Sequence, residues 1–190
     1  MEVEYYKLLF LEKSLLGHKT IFDKEEEVIF QCIRRAYRDM LTVGRFYLNK
    51  NKSNESIEIV CKKFKLILEK FNFKYSRDII DETVNLFCLD KEKMTKNRYA
   101  TEYGLSQKLV TMTYKYFYVF DNYINKNIDF SNCDCPLDSS TLSNFAELKD
   151  FVWSKLTKED YEYCQQVIAN NINNSTLRHL GNLAFDFINW

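Results

Sequence analysis

Apolar residues recur at helical spacing along most of this chain, and polar runs separate the periodic stretches. Asp23 is placed to cap a long helix, because three glutamates follow at 25–27, where the helix dipole favours acidic side chains. The apolar residues that follow share one side of that helix. They are Val28, Ile29, Cys32, Ile33, Ala36, Met40 and Val43. The pattern predicts a helix that buries this face.

Similar periodic stretches predict the other helices. Their expected positions are 2–16, 56–71, a helix from Ser76 or Asp78 to Phe87, 106–123, 141–155, a stretch after Thr157, and a last helix from Asn174 or Ser175 to Trp190. Asp138 or Ser140 would cap the helix at 141–155, and Thr157 would cap the next one. Residues 90–103 show no clear period, which predicts a loop or a broken helix there.

Composition agrees with a helical fold. Hydrophobic residues make up 46% of the chain and aromatic residues 16%, which is ample material for a core. Only 4 glycines and 1 proline occur, too few for the turns of a many-stranded sheet. The aromatic run at 114–120 predicts a helix packed on several sides rather than a surface for stacking bases. We therefore expect an all-α protein, with residues 1–190 forming a single compact domain of about eight helices.

The N-terminus and the cysteines indicate a cytoplasmic protein with reduced thiols. The stretch MEVEYYKLLF has no basic segment, so no secretory signal is visible, and no uncharged apolar run approaches the ~20 residues of a membrane span. The 6 cysteines would then be free. Cys133 and Cys135 form a C-x-C pair, but together with Cys164 and His179 they match no zinc spacing. We expect no metal, no other cofactor and no membrane partner.

The charges balance overall but are unevenly distributed. Between Arg34 and Arg77, 12 basic residues stand against 4 acidic ones, whereas between Asp121 and Glu162, 4 basic stand against 9 acidic. A basic face of this kind can bind nucleic-acid phosphates, although lysines on surface helices are also ordinary solubility devices. The candidate phosphate contacts are Arg34, Arg38, Lys62, Lys63 and Lys65.

The stretch GLSQKLV at 104–110 carries the first half of a candidate site. Gly104 permits a tight turn between two helices, and the free N–H groups after it, with Ser106 and Gln107, would bind a phosphate. Lys108 would lie in the first turn of the second helix. The positive end of the helix dipole there favours the neutral amine, which is the nucleophilic form of lysine.

An aspartate provides the second half of the candidate site. Asp138 follows Lys108 by 138 − 108 = 30 residues and stands in CPLDSSTL at 135–142. Pro136 restricts the backbone before it, and Asp138 could cap the helix that follows. A carboxylate held at a helix N-terminus stays ionised, which suits the stabilisation of a developing positive charge. The two residues predict a lysine nucleophile with an assisting carboxylate.

The order G-Φ-S-x-K-Φ-Φ followed by P-Φ-D, with Φ apolar, resembles the helix-hairpin-helix DNA glycosylases over residues 103–142. The stretch SQKLVTMTYKYFYVF is similar to the corresponding helix of the archaeal 8-oxoguanine glycosylases. The resemblance implies an all-helical base-excision repair enzyme that binds double-stranded DNA. It also implies that Lys108 attacks the C1′ carbon of the damaged nucleotide and that Asp138 assists. The chain departs from the family at Ser106, where a second glycine is usual.

A second interpretation needs no chemistry. The chain has no glycine-rich phosphate loop, no H-E-x-x-H and no G-x-S-x-G. It would then be a small helical binding or inhibitor protein of a phage or mobile element, acting on a protein partner or a small ligand. An exposed aromatic patch, or an acidic face over 121–162, would favour this interpretation.

Overall fold

The computed structural model describes residues 25–44, 54–87, 100–172 and 180–188. Within these ranges every regular element is helical and no β-strand occurs, which confirms the all-α prediction. The α-helices are α1 (Glu25–Gly44), α2 (Asn54–Lys70), α3 (Asp78–Val84), α4 (Glu102–Val119), α5 (Ser139–Ser143), α6 (Lys158–Asn171) and α7 (Leu183–Ile188). Short 3-10 turns lie at Asp121–Tyr123, Phe130–Asn132 and Trp153–Lys155. No helix in the described part of the chain is both long and apolar enough to cross a membrane.

Helix α4 forms the centre of the described fold. Every residue from Gly104 to Phe117 is buried. Helices α1 and α3 and the 3-10 turn at Trp153 pack along α4, and α2 packs against both α1 and α3. The Tyr114 ring meets the Tyr75 ring edge-on at 5.0 Å. The aromatic run is therefore core, as its sequence predicted.

Helix α1 buries the face that the periodicity predicted. Six of the predicted residues are at most 1% exposed, namely Val28, Ile29, Cys32, Ile33, Ala36 and Met40. They lie at spacings that return to the same side of a helix, and that side faces α2 and α4. The cap at Asp23, the side chain of Val43 and the helix predicted at 2–16 lie outside the described residues.

The start that we predicted for α4 at Ser106 is wrong, because the helix begins at Glu102. Thr101 has extended backbone angles, and its hydroxyl accepts a hydrogen bond from the Gly104 N–H at 2.9 Å. Thr101 also donates that hydroxyl to the carbonyl of Leu156 at 2.6 Å, which ties the helix start to the chain before α6. A threonine cap therefore starts the helix, and Gly104 lies inside its first turn rather than in a bend.

Helix α5 is much shorter than the helix predicted at 141–155. It spans only Ser139–Ser143, and turns follow to residue 150. The Asn144 amide and the Ser143 hydroxyl both donate to the carbonyl of Ser140, at 3.0 and 2.8 Å, and so compete with the next helical hydrogen bond. The cap is Asp138, one of the two predicted residues, which accepts from the Thr141 N–H at 2.8 Å.

The predicted cap of α6 is confirmed, whereas the observed boundaries of α2 and α3 differ slightly from the predicted ones. Thr157 caps α6 and forms a capping box with Asp160, as predicted for Thr157. Helix α2 begins at Asn54, two residues before the predicted start, and α3 ends at Val84. The last described helix begins at Leu183, and residues 173–179, where we predicted its start, lie outside the described ranges.

An extended stretch, residues 133–138, leads to α5 and is named here the connecting segment. Its Asp134 is 4% exposed and accepts hydrogen bonds from Arg77 Nε at 2.7 Å and Nη2 at 3.0 Å. The hydroxyls of Tyr75 and Tyr161 donate to the same carboxylate at 2.9 and 3.0 Å. Burial and the charge of Asp134 raise the pKa of both tyrosines well above the usual value, so both remain donors. This cluster anchors the connecting segment to α3 and α6.

Replacing Asp134 by alanine is expected to destabilise the protein by about 3 kcal/mol, because it leaves a paired arginine and two buried hydroxyls without their acceptor. For a chain of this size the melting temperature should fall by about 6–12 °C. Thermal unfolding followed by circular dichroism measures the change. The exposed Asp150→Ala is the control and should change stability by less than about 0.5 kcal/mol. Equal small effects of the two substitutions would contradict the anchoring role.

Candidate active site

The fold brings together the two residues that we predicted as a catalytic pair. Lys108 Nζ lies 3.0 Å from Asp138 Oδ2. The Lys108 side chain is 7% exposed, whereas that of Asp138 is 39% exposed. The amine is therefore held beneath the carboxylate, and Asp138 forms the outer part of the site.

The starts of α4 and α5 determine how this pair is oriented. Lys108 lies in the second turn of α4, and not in the first turn as we predicted, because the helix begins at Glu102. Asp138 uses its other oxygen, Oδ1, to cap α5 through the Thr141 N–H, which leaves Oδ2 for the lysine. One carboxylate thus joins the N-terminus of α5 to the second turn of α4.

Trp153 covers the amine from another side. The Lys108 Nζ lies 5.9 Å from the centre of the Trp153 ring, a distance at which the ring face attracts a cation. Gly104 allows this approach. A Cβ at that position would lie 2.7 Å from the backbone C and O of Ser154, so only glycine permits the 3-10 turn to lie this close to α4.

The electrostatic surroundings keep Asp138 ionised. Burial by itself raises the pKa of its carboxyl. The charge of Lys108 and hydrogen bonds from Thr141 and Lys108 outweigh this effect and hold the pKa below its usual value. A carboxylate in this state is a weak base and a good partner for a neighbouring positive charge.

The turn that we predicted at 104–110 is wrong, because these residues are part of α4. The three phosphate contacts predicted on that turn are therefore residues of a helix. Gly104, Ser106 and Gln107 lie within α4 and are buried. The Gly104 N–H bonds Thr101, the Ser106 hydroxyl donates to the carbonyl of Glu102 at 2.7 Å, and the Gln107 amide donates to the carbonyl of Leu137 at 3.4 Å. Burial this complete keeps all three away from a bound duplex in this conformation.

The basic candidates lie on the packed pair α1 and α2. Arg38, Lys62 and Lys63 are exposed, and Arg34 is partly buried. Lys65 is used within the fold, because its Nζ pairs with Glu26 at 2.5 Å and with Glu69 at 2.9 Å. Three of the five candidates are therefore exposed on these two helices, Arg34 is partly covered, and the charge of Lys65 is paired within the fold.

Sequence analysis missed a second buried lysine–aspartate pair on the same helix. Lys115 contacts Asp186 of α7, with side chains 7% and 10% exposed. Lys115 follows Lys108 by seven residues, two helical turns along the same face. The signal was present in the sequence as a lysine inside a run that is apolar on all sides, because a charge there requires a buried partner. The sequence did not indicate which residue is that partner, because Asp186 lies 71 residues after Lys115 (186 − 115).

The cysteines near the site are buried thiols. Cys133, Cys135 and Cys164 are each at most 1% exposed, and burial raises the pKa of each, that of Cys164 to about 12. Within the described ranges, no three or more His, Cys, Asp or Glu side chains lie together in a way that could hold a metal ion. His179 lies outside those ranges.

Comparison of the chain with protein-family models, with curated proteins and with solved structures finds no match.

Replacing Gly104 by alanine is expected to destabilise the protein by about 1–3 kcal/mol, because the new methyl group meets the Ser154 backbone. Helix propensity alone would predict the opposite effect, a stabilisation by about 1 kcal/mol, because alanine favours a helix more than glycine does. Chemical denaturation of both proteins measures the difference. Stabilisation by the substitution would mean that the 3-10 turn does not lie against α4.

Replacing Asp138 by asparagine is expected to lower stability at neutral pH by about 1–3 kcal/mol, since asparagine keeps the cap but leaves the buried lysine without its anion. Because the pKa of Asp138 is lowered by folding, the wild type has this advantage in full above about pH 4 and loses it as the pH falls further, through the lowered folded-state pKa. Denaturation at several pH values measures the gap between the two proteins. A gap that stays constant from pH 7 to pH 2 would contradict the ion pair, and the exposed Asp150→Asn controls for the loss of one carboxylate.

Proposed function

We propose that this protein is a DNA glycosylase-like enzyme that removes a damaged or modified base through a Schiff base on Lys108, with Asp138 assisting. One observation carries the proposal: residues 30 positions apart meet at 3.0 Å, with the lysine buried and the aspartate at a helix N-terminus. The resemblance described above implies the same two residue types in the same order. Lysine is a known covalent nucleophile, and a carboxylate beside it would stabilise the positive charge that develops on the sugar.

The chemistry balances without a cofactor. The C1′–N bond to the base breaks, its electron pair leaves with the base, and the proton given up by the Lys108 ammonium ends on that base. The amine then forms a bond to C1′. Opening of the C1′–O4′ bond moves a proton from nitrogen to O4′ and leaves the C1′=N imine. Asp138 remains a carboxylate throughout and stabilises the positive charge that develops on the sugar.

The burial of the pair defines the direction of approach. Lys108 is covered by Trp153 and by the body of α4, while Asp138 is partly open to solvent. A nucleotide would therefore enter past Asp138 and displace it from the amine. The base must also leave the duplex stack, which costs a few kcal/mol and least for a damaged or mispaired base.

Double-stranded DNA is the proposed partner. Arg34, Arg38, Lys62 and Lys63 lie on neighbouring helices and would contact phosphates, which predicts binding that weakens as salt rises. These contacts would position the duplex and would carry no sequence information themselves.

A non-enzymatic binding protein is the second candidate. Ile59 and Leu66 are 49% and 64% exposed, and they lie seven residues apart on one face of α2. Two exposed aliphatic residues on one face suit contact with a protein partner. In that case the Lys108–Asp138 pair would only join α4 to α5.

Borohydride trapping on duplexes that contain 8-oxoguanine, uracil or an abasic site tests the enzyme. Borohydride reduces an imine to a stable amine, so wild-type protein should become covalently attached to the cognate strand. Lys108→Gln should reduce the adduct to background because it removes the only proposed nucleophile. The exposed Lys149→Gln should trap like the wild type. An absence of adduct and base release from every duplex, with no salt-dependent binding, would overturn the enzyme and favour the binding protein.

A further inference from the structure

The backbone of the connecting segment is held by side and main chains from several helices. The Leu183 N–H of α7 donates to the carbonyl of Cys133 at 3.1 Å. The Thr141 hydroxyl of α5 donates to the carbonyl of Pro136 at 3.1 Å. These bonds take the place of a neighbouring strand, because an extended segment without one must find other partners for its backbone groups.

Gln165 of α6 makes the most complete of these contacts. Its Oε1 accepts from the Cys135 N–H at 3.0 Å, and its Nε2 donates to the Cys135 carbonyl at 2.7 Å. One side-chain amide thus pairs with both backbone groups of a single residue, as a strand neighbour would. Gln165 is 0% exposed, so water does not compete for these bonds.

A third residue fixes the orientation of that amide. Asn182 donates from Nδ2 to Gln165 Oε1 at 3.0 Å and to the Gln165 carbonyl at 2.8 Å. With Oε1 accepting two N–H groups, a rotated amide would place its NH₂ against two donors. The Gln165 side chain is therefore locked in the orientation that holds Cys135.

Only Pro136 and Leu137 separate Cys135 from Asp138. The proline ring restricts one of the few backbone angles between them, so the position of Cys135 is transmitted to Asp138 with little freedom. A small displacement at this point would lengthen the 3.0 Å distance between Asp138 Oδ2 and Lys108 Nζ.

We propose that Gln165 is a positioning residue, which sets the place of the Asp138 carboxylate against the Lys108 amine by holding Cys135. The expected effect of Gln165 on catalysis rests on the function proposed above, whereas its expected effect on the position of Asp138 does not. The side-chain hydrogen bonds of Gln165 go to Cys135 and Asn182 and to neither residue of the pair, so it would act through the connecting segment.

The main variant is Gln165→Met, which keeps the length of the side chain and removes both hydrogen bonds to Cys135. Gln166→Met makes the same change at the exposed neighbouring position of α6. Ile168→Ala is the control for lost stability, because it opens the core one turn along α6 and removes none of the hydrogen bonds that hold the connecting segment. Asn182→Ala is a milder variant that only loosens the Gln165 amide, and it decides the test if Gln165→Met does not fold.

The first readout is the titration of the Asp138 carboxyl carbon by NMR, in protein without DNA. In the wild type the pKa of Asp138 should lie below its usual value, and in Gln165→Met and Asn182→Ala it should move back towards that value. Both controls should keep the wild-type pKa. A carboxyl that titrates in Gln165→Met and Asn182→Ala as it does in the wild type would overturn the proposal, whether or not the protein is an enzyme.

The second readout is the rate of borohydride trapping at saturating DNA, at a temperature where every variant is folded. Gln165→Met should slow trapping by about 10- to 100-fold with little change in the DNA concentration at half saturation, because the pair is misplaced and the DNA surface is not. Ile168→Ala should trap at nearly the wild-type rate. A rate for Gln165→Met that equals that of Ile168→Ala would overturn the catalytic consequence. If the wild type itself gives no adduct, the function fails and the titration alone decides the role of Gln165.

Discussion

The burial of α4 from Gly104 to Phe117 is the constraint on which the rest of the structure depends. A helix enclosed on all sides can carry polar side chains only where a partner is available inside the protein. Its serine and threonine hydroxyls find theirs within α4, as Thr111 does by donating to the carbonyl of Gln107 at 2.6 Å. A lysine has no such option, because its charge needs an anion. The chain after α4 supplies Asp138 to Lys108 and Asp186 to Lys115.

Stability alone is a weak explanation for these two ion pairs, in which both lysines are buried. Two apolar residues of similar size are often as stable as a buried ion pair, because removing both charges from water is costly. Helix α4 nevertheless has a lysine at two places on one face, each with an aspartate from a later element. The outer pair is the one that solvent reaches, through the partly exposed Asp138. Under the proposed function, that difference in access favours Lys108 over Lys115 as the nucleophile.

The connecting segment shows how the fold brings a distant carboxylate to α4. Its Asp134 is fixed by side chains from the residues just before α3 and from α6, its Cys135 by Gln165, and its Asp138 by Lys108 and the start of α5. These anchors alternate between side chain and backbone along six residues, beside which the described part of the chain places no strand. The Lys108–Asp138 distance is thus a property of several helices together, and not of the two residues alone.

The sequence by itself determined the helical class, the buried face of α1, the enclosed aromatic helix and the cap at Thr157, and it narrowed the cap of α5 to Asp138 or Ser140, because periodicity and capping depend on neighbours a few residues apart. It also indicated that Lys108 and Asp138 belong together, through a resemblance. Local signals misled at Gly104, where a glycine that suggested a turn instead permits close packing against Ser154. Only the tertiary structure decided that contact, the pairing of Lys115 with Asp186 and the hold of Gln165 on Cys135. Each of these joins residues 30 or more positions apart, and such contacts are set by how whole helices pack rather than by any pattern along the chain.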